Sequence, residues 1–259
     1  MAEQFRLRIT YSKDGRLRWL SHLELMRAME RLVRRSGLPY AVTQGFNKHM
    51  RFAIGPALPV GTAGINEIFD VWMTNYVAPD RALSALQAAA DDTLPVRSVL
   101  YVPTSAKGLQ ATHTVSHYLV LVSAGTSADR GTTADVAGRL AGSMSITGNT
   151  SSDQLQIALD ELLVKGQIEV SHKKGTKQFD LSDVIIKAPK VLDEATDDGQ
   201  LLVACTLKTL DNGSIRPEQL IKAALYEWQM KAEEPGGNED TARQNVTWQI
   251  LSVVRTLLE

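Results

Sequence analysis

Basic side chains recur at helical spacing between positions 27 and 35, in a set of four: Arg27, Arg31, Arg34 and Arg35. Offsets of four, seven and eight residues place them on one side of an α-helix. Arginine forks bind phosphate oxygens in pairs, and clustered cations gain affinity for nucleic acid by releasing its counterions. The set predicts a phosphate-binding surface, to which Arg16 and Arg18 add contacts from the preceding turn. The alternative is a solvated helix face that Glu24 and Glu30 partly neutralise.

A glycine-rich segment follows this helix. It combines a glycine, an aromatic ring, an amide and three basic side chains, in Gly45, Phe46, Asn47, Lys48, His49 and Arg51. Such a loop suits a flipped RNA base or a phosphate. The alternative is a turn before a strand, with Phe46 in the core.

Two histidines are candidate catalytic residues. His49 is a conceivable general base for metal-independent RNA cleavage, but no second acid or base occupies a fixed neighbouring position. His22 falls in the first turn of the predicted helix, where the helix dipole disfavours imidazolium and favours a packed, neutral ring. We therefore assign no catalytic residue.

A second basic cluster, Lys173, Lys174 and Lys177, lies between two predicted strands and is typical of a hairpin tip. It is a candidate second phosphate contact. Charged hairpin tips are also ordinary solubilising features, and that alternative stays open.

Other chemistries lack the residues they need. The single cysteine, Cys205, excludes an intramolecular disulfide, a thiolate zinc cage and a radical-SAM cluster, and its apolar surroundings predict a buried, inert thiol. The histidines show no zinc-site spacing, and nucleotide-binding and hydrolase motifs are absent. We predict no metal and no cofactor.

Charge is distributed unevenly over the 259 residues. Residues 1–60 hold eleven Lys/Arg and four acidic residues, a net of +7, so a total of −1 leaves −8 for the rest. This asymmetry indicates a confined surface for phosphate or an acidic partner. No apolar run approaches the ~20 residues of a membrane span, and no signal peptide opens the chain, so we expect a cytoplasmic protein.

Hydrophobic periodicity predicts the elements that position these residues. Residues 4–11 alternate as a strand with Arg6 and Arg8 on its outer face, and a capping box at Ser21 and Glu24 starts a helix that runs to about Ser36. Strands at 40–43, 66–73 and 96–102, with a helix at 79–90, give the order β-α-β-β-α-β.

The second half also mixes strands and helices. Strands are predicted at 117–123, 167–172, 179–186 and 201–210, and helices at 134–144, 152–164 and 216–228. We therefore predict an α+β protein of two tandem ferredoxin-like (βαββαβ-type) sandwich domains, the second elaborated. The domains are expected at 1–104 and 113–259, joined by a polar connector at 104–112.

Several short motifs are similar to a known family: Lys13-x-Gly15, Ser21-His22-Leu23-Glu24, Arg31-x-x-x-Arg35-x-Gly37-Leu38-Pro39, Gln44-Gly45-Phe46-Asn47-x-His49, Leu58-Pro59-x-Gly61, Lys173-Lys174-Gly175 before Asp180, and Gly213-x-x-Arg216-Pro217. Together they resemble the bacterial radical-SAM-linked domain family, which is of unknown function. Glu24 stands where that family has Asp, and Lys48 where it has Pro.

The resemblance implies a domain that relatives carry fused to, or encoded beside, a radical-SAM protein, and it implies no reaction. With the basic surface it gives the leading hypothesis: a non-catalytic module that holds structured RNA, such as tRNA or rRNA, for a separate radical-SAM enzyme. The alternatives are a metal-independent endoribonuclease or RNA-modification enzyme, and a protein-interaction adaptor that binds no RNA.

Overall fold

The structure is a computed structural model that describes residues 4–90, 94–126, 148–172, 175–192, 200–210, 213–232 and 246–259. It is a mixed α+β structure that divides into two compact units. Unit 1 comprises Met1–His117 and Val254–Glu259, and unit 2 comprises Tyr118–Val253. Unit 1 thus has a second, C-terminal segment, whereas each predicted domain is continuous in sequence.

The elements of unit 1 follow the predicted order: β1 (Phe5–Lys13), a 3-10 helix (Gly15–Trp19), α1 (His22–Arg35), β2 (Phe52–Ile54), β3 (Ala63–Met73), α2 (Pro79–Ala89), β4 (Val96–Val102) and α3 (Leu109–Thr112). The sheet order is β4-β1-β3, and β2 also pairs with β3. These pairs are antiparallel, whereas Val254 and Arg255 pair with β3 in parallel. The predicted strand at 40–43 consists of isolated bridges, Tyr40 to Met73 and Val42 to Met50.

Helix α1 has the predicted N-terminal cap. The Ser21 hydroxyl accepts from the Glu24 amide, and the Glu24 carboxylate accepts from the Ser21 amide at 2.8 Å. Both bonds satisfy amides that a helix start leaves without partners. The opposite side of the helix is apolar and packs into the core of unit 1, through Leu25, Met29, Leu32 and Val33. Cap and core together fix which side of α1 faces solvent.

Part of the second face of the unit 1 sheet is also covered. Helix α3 lies in the segment predicted as a polar connector, and Leu109 in it is buried against Ile68 and Leu258. One leucine thus anchors an otherwise polar stretch.

Unit 2 contains α4 (Gly148–Lys165), β6 (Gln167–His172), β7 (Gly175–Asp180), α5 (Leu181–Val184), β8 (Ile185–Leu192), β9 (Leu201–Lys208) and α6 (Pro217–Ala232). It also contains most of β5 (Val115–Thr126) and of β10 (Val246–Leu258), whose remaining residues belong to unit 1. The sheet order is β10-β5-β9-β8, and β6 and β7 form a separate antiparallel hairpin. Cys205 lies in the core of this unit, and burial raises the pKa of its thiol to about 12. The prediction of a buried thiol is confirmed.

The single strand predicted at 179–186 was wrong. The chain there ends β7, makes the one-turn helix α5 and starts β8. The Asp180 carboxylate accepts from the Ser182 amide at 2.9 Å, so a local cap interrupts the extended run. The predicted helix at 134–144 lies outside the described residues.

Candidate nucleic-acid interface

Helix α1 presents its arginines to solvent. The Arg27, Arg31, Arg34 and Arg35 side chains are all exposed. In the described part of the chain, no carboxylate oxygen lies within 4.0 Å of the guanidinium groups of Arg27, Arg31 or Arg34. Arg27, Arg31 and Arg34 therefore keep their charge available for phosphate oxygens.

The acidic residues predicted to neutralise this row do so only in part. Glu24 directs one carboxylate oxygen to the Ser21 amide at 2.8 Å and to the Ser21 hydroxyl at 2.7 Å. These hydrogen bonds are the main reason that the pKa of Glu24 is lowered, and the charge of Arg27 is the smallest cause. The glutamate therefore serves the helix cap more than it serves the arginines.

Arg34 has a further contact with the segment that follows α1. Its guanidinium carbon lies 6.0 Å from the centre of the Tyr40 ring, at the edge of cation–π range. Arg34 and Arg35 also occupy the last turn of α1, where positive charge interacts favourably with the helix dipole. These two arginines thus contribute to the helix as well as to its surface charge.

Arg6 and Arg8 do not belong to this surface. Both guanidinium groups bind the Asp70 carboxylate, Arg6 Nε at 2.8 Å and Arg8 Nε at 2.9 Å, and Asp70 is fully buried. Arg6 also donates to the carbonyl oxygens of Ala106 and Lys107. The predicted basic outer face of β1 was wrong, because Arg6 is buried, Arg8 is half-buried and both are paired with Asp70 inside the protein.

The 3-10 helix places Arg16 and Arg18 differently. Arg16 is exposed, whereas Arg18 is half-buried with its guanidinium carbon 4.9 Å from the centre of the Trp19 ring. The Arg18 Nε atom is buried and has no hydrogen-bond partner among the described residues. Trp19 itself is 60% exposed, so it offers an aromatic face beside a cation.

The glycine-rich loop projects into solvent. Every residue from Gln44 to His49 is exposed, and the Phe46 side chain is 104% exposed, that is, without any covering contact. The Thr43 amide donates to the His49 carbonyl at 2.8 Å, and the His49 amide donates to the Thr43 hydroxyl at 3.1 Å. The interpretation of Phe46 as a core residue was wrong. The ring stands at the tip of a closed loop, next to Asn47 and Lys48.

A cleft of about 620 Å³ lies at the base of this loop, lined by Gln4, Val42, Thr43, Gln44, Arg51, Trp72 and Thr104. Two guanidinium groups lie over the Trp72 ring, Arg6 at 4.9 Å and Arg51 at 4.7 Å. Arg51 is exposed and also donates to the Gln4 side chain. The cleft thus contains a cation, an aromatic ring and three side chains that can donate and accept hydrogen bonds, namely Gln4, Thr43 and Gln44.

Sequence reasoning assigned Arg51 to the site but missed Trp72. Trp72 is half-buried near the end of β3, and a partly exposed tryptophan marks a contact surface. Gln4 and Thr104 carry no comparable signal, since only the tertiary fold brings them to the cleft.

The two candidate catalytic histidines occupy different environments. His22 is half-buried at the start of α1, and burial, with a smaller effect of the Lys13 charge, lowers the pKa of its imidazole. His49 is exposed in the loop, and its only hydrogen bonds shown here are those of its backbone. Within the described residues, no side chain is hydrogen-bonded to the His49 imidazole to act as a second acid or base.

The second predicted basic cluster belongs to unit 2. Lys177 is exposed on β7, and β6 and β7 pair out to His172 and Gly175, which confirms a hairpin there. Lys173 and Lys174 lie outside the described residues. Unit 2 also has a groove of about 690 Å³ between α4, β6 and α6, but no predicted site residue lines it. The larger cavity is therefore not where the predicted chemistry lies.

Two negative findings concern the described residues alone. No group of three or more His, Cys, Asp or Glu side chains there is arranged to hold a metal ion. No helix in those ranges is long and apolar enough to cross a membrane.

The sequence matches a family model described as an uncharacterized protein conserved in bacteria (DUF2344), over residues 6–217. The chain belongs to this family. The match spans α1, the glycine-rich loop and the cleft, as well as most of unit 2. No curated protein matches the chain.

Three solved structures show weak overall similarity. A crystal structure of a Cbf5-Nop10-Gar1 complex contains a chain that is 11% identical, with a TM-score of 0.43 over 97% of this chain and 48% of that chain. An unknown protein from Galdieria sulphuraria is 10% identical, with a TM-score of 0.25 over 96% and 98%. An encapsulated DyP-type peroxidase from Mycobacterium smegmatis is 10% identical, with a TM-score of 0.21 over 96% and 90%. This family member spans about half the length of the first of these chains.

Proposed function

We propose that this protein is a non-catalytic RNA-binding module that presents structured RNA, such as tRNA or rRNA, to a separate radical-SAM enzyme. One observation carries the RNA-binding part. The fully exposed Phe46 ring and the arginine row of α1 belong to the same unit, and no carboxylate among the described residues pairs with Arg27, Arg31 or Arg34. Single-stranded RNA segments are bound by exposed aromatic rings, which stack on bases, together with cations, which bind phosphates.

The proposed roles follow from the chemistry of each group. The arginines of α1 bind backbone phosphates, which fixes the position of the RNA without reading its sequence. Phe46 stacks on an unpaired base, and Asn47, Lys48 and His49 contact that nucleotide. The cleft accepts a neighbouring nucleotide, whose base meets the amides of Gln4 and Gln44 while Arg51 holds its phosphate.

The radical-SAM partner is proposed from the motifs of the sequence. Cys205 is a single, buried thiol, so an iron–sulfur cluster for this chemistry belongs to another polypeptide. Anaerobic purification of the tagged protein should retain a partner that carries iron–sulfur absorbance and cleaves S-adenosylmethionine. Purification of this chain with RNA but without such a partner contradicts the radical-SAM part and leaves RNA binding in place.

We further infer that both units are ferredoxin-like. The supporting observations are the order β4-β1-β3 with β2 on β3 in unit 1, and the order β10-β5-β9-β8 in unit 2. In unit 1 the first strand, β1, lies between β3 and β4. In the sheet of unit 2, which excludes the β6-β7 hairpin, the first strand, β5, lies between β9 and β10. In both units the first of the four sheet strands therefore lies beside the third and the fourth, as in a ferredoxin-like sheet. The segment between the first helix and the second strand then carries the glycine-rich loop in unit 1 and the β6-β7 hairpin in unit 2.

The decisive experiment compares charge variants by ultraviolet crosslinking in cells, followed by sequencing of the attached RNA. One variant changes Arg27, Arg31, Arg34 and Arg35 to Gln. The matched control makes the same change in net charge on exposed lysines of unit 2, at Lys187, Lys190, Lys208 and Lys222. We expect a defined RNA with the natural protein and the control, and its loss with the arginine variant.

Binding to that RNA is then measured with purified protein at several salt concentrations. The slope of log affinity against log salt should fall by about 3 in the arginine variant, because each single-strand phosphate contact contributes roughly 0.7. An unchanged slope contradicts the assignment of α1. Absence of any enriched RNA contradicts RNA binding altogether and favours an adaptor whose basic face binds an acidic protein.

A further inference from the structure

The groove of unit 2 is lined along one side by a strand edge. Five consecutive residues of β6, numbers 167–171, line it, together with residues of α4 and the face of α6 that carries Ala223 and Tyr226. Side chains of a strand alternate between its two faces, so consecutive residues all reach one groove only along the edge of the strand. The groove of about 690 Å³ therefore runs along the edge of β6 that faces α6.

The pairing of β6 with β7 determines which backbone groups lie on that edge. Only two residues separate His172 from Gly175, so this closing pair of the hairpin exchanges both of its backbone hydrogen bonds. Hydrogen-bonded pairs alternate along an antiparallel ladder, so Ile168 and Val170 also bond to β7. The remaining lining residues of β6 consequently direct their N–H and C=O groups away from β7, toward the groove; they are Gln167, Glu169 and Ser171.

These outward backbone groups have no partner in the part of the chain that the structure describes. β6 and β7 form a sheet of two strands, and no other backbone hydrogen bond among the described residues reaches residues 167, 169 or 171. An unpaired strand edge is a template for one more strand, whose N–H and C=O groups complete the ladder. Each of the three residues can exchange two backbone hydrogen bonds with that strand.

The opposite wall of the groove determines what kind of strand fits. Helix α6 lies across the groove from β6, so an added strand has β6 on one edge and a helix on the other. The β6 strand of a second copy of this chain already has β7 on its other edge, and a paired hairpin is wider than a single strand. The geometry therefore suits an extended peptide that has no second neighbour in the sheet, and it does not suit a second copy.

The apolar side chains along the groove specify part of the character of that peptide. Ile168 and Val170 are each 4% exposed and belong to the core of unit 2, whereas Glu169 between them is exposed. Directly opposed residues of neighbouring strands project to the same face of a sheet. The peptide residues opposite Ile168 and Val170 are therefore expected to be apolar, and Ala223 and the 62% exposed Tyr226 of α6 offer further apolar contact.

The charges of the groove add a second requirement. Lys165 and Glu227 neutralise each other, with Lys165 Nζ 2.6 Å from Glu227 Oε1. Glu169 and Lys222 are exposed, and neither forms an ion pair with another described residue. A peptide between β6 and α6 complements these two charges if it carries a basic side chain opposite Glu169 and an acidic group near Lys222.

We propose that β6 and α6 form a peptide-binding groove, in which an extended segment of a partner protein adds as a strand to β6. The segment has an apolar-basic-apolar pattern, which lies opposite Ile168, Glu169 and Val170 in turn. Backbone hydrogen bonds supply affinity, and the side chains select the partner. This site does not depend on the proposed RNA binding, because no residue assigned to RNA lines the groove.

The first test selects ligands from a phage library of random peptides, with the purified full chain as bait. We expect enrichment of the apolar-basic-apolar pattern. The Glu169→Lys bait reverses an exposed charge and should select an acidic residue at the central position. The Asp183→Lys control makes the same change of charge at an exposed residue outside the groove and should select the original pattern. Absence of an enriched pattern, or an unchanged pattern with the Glu169→Lys bait, overturns the proposal.

Backbone pairing is then tested on a fluorescent peptide from that selection, by anisotropy with the full chain. N-methylation removes one peptide N–H group at a time. It should weaken binding about tenfold at every second residue, where the N–H points to β6, and by much less at the residues between. A ligand that binds without adding to the strand shows no such alternation, and its absence overturns the proposal.

A variant of β6 tests the same hydrogen bonds from the side of the protein. Ser171→Pro removes one outward N–H group, while Val170 and His172 keep their bonds to β7. It should bind the peptide about tenfold more weakly than the matched control Ser171→Ala. Equal binding by the two variants overturns the proposal. If Ser171→Pro does not fold, the N-methylation scan tests the same pairing with the natural chain.

Sedimentation velocity tests the competing occupant. We expect the natural chain and Ser171→Pro to show the same state of association, because a second copy does not fit between β6 and α6. A dimer that forms with the natural chain and is lost in Ser171→Pro would place a second copy in the groove, and it overturns the assignment to a partner peptide.

Discussion

Two sets of arginines within the first 35 residues have opposite environments in the folded protein. Arg6 and Arg8 on β1 converge on the buried carboxylate of Asp70, whereas the arginines of α1 stand in solvent. Both sets consist of arginines, and both add to the net charge of +7 over residues 1–60. A local excess of positive charge in the sequence therefore indicates a binding surface only if the cations that form ion pairs inside the protein are not counted.

The physical cause of the difference is the number of covered faces. A helix packed on one side leaves a solvated side, and long cationic side chains occupy it at little cost. The central strand β1 is buried at Arg6 and half-buried at Arg8, so these charged residues need partners inside the protein. The covering of the second face depends on α3, which the polar composition of residues 104–112 did not indicate.

The largest expected effect is on the paired set. Asp70→Ala leaves two guanidinium groups facing each other, Arg6 fully buried and Arg8 largely so, and should lower the free energy of unfolding by about 3–5 kcal/mol. Urea denaturation followed by circular dichroism measures this loss. Asp153→Ala, which removes an exposed carboxylate of α4, is the control and should change stability by less than about 0.5 kcal/mol. A loss below about 1 kcal/mol at Asp70 means that the two arginine sets differ less than their burial indicates.

Phe46 in the glycine-rich loop should show the opposite pattern, in which RNA binding is lost and the free energy of unfolding is unchanged. Phe46→Ala removes a ring that touches nothing in the fold, so the free energy of unfolding should stay within about 0.5 kcal/mol. RNA affinity should fall by about 1–3 kcal/mol, since that is the usual contribution of one base stacked on an aromatic ring. Val164→Ala, at an apolar side chain of unit 2 that is 88% exposed, is the control for both measurements. Equal affinity of the two variants for RNA excludes Phe46 as a stacking residue.

The pH dependence of the free energy of unfolding reports on the partly buried His22 of unit 1 rather than on its exposed arginines. The pKa of His22 in the folded protein is below its ordinary value of 6.5, so the unfolded chain binds more protons in the window between the two pKa values. As pH falls through that window, His22 should reduce the free energy of unfolding, with a slope of at most about 1.4 kcal/mol per pH unit. His22→Gln should lack this component when unfolding is measured from about pH 8 to about pH 5. Identical pH profiles contradict the burial of a neutral imidazole.

Local sequence signals predicted the elements that are determined locally. The cap at Ser21 and Glu24 fixed the start of α1, and the apolar stripe fixed which side carries arginines. Two features were out of reach because they depend on distant residues. Arg255 pairs with Glu67, 188 positions away, and Phe46 is exposed at the tip of a loop that hydrogen bonds between Thr43 and His49 close. Local signals can also mislead. The Asp180 carboxylate caps the one-turn helix α5 and so interrupts the extended run that was predicted as one strand over 179–186.

The smallest expected effect concerns Glu24, the glutamate of the α1 capping box. Ser21→Ala removes the hydroxyl that both donates to the Glu24 carboxylate and accepts from the Glu24 amide, and a lost N-cap of this kind costs about 1 kcal/mol of stability. The pKa of Glu24 should rise toward its ordinary value, because the Ser21 side chain is the largest cause of its lowering. Carbon-13 NMR of the carboxyl group measures that pKa directly.

The same variant tests how far the cap keeps Glu24 away from the cations. Freed from Ser21, the carboxylate can turn to Arg27, three residues along the helix, and pairs at this spacing contribute roughly 0.2–0.5 kcal/mol. RNA affinity should then fall slightly, while the Ser21→Asp variant, which keeps an N-cap acceptor, should retain helix stability. If Ser21→Ala weakens the helix but leaves RNA affinity unchanged, Glu24 has no influence on the row, and the arginines of α1 act as independent phosphate contacts.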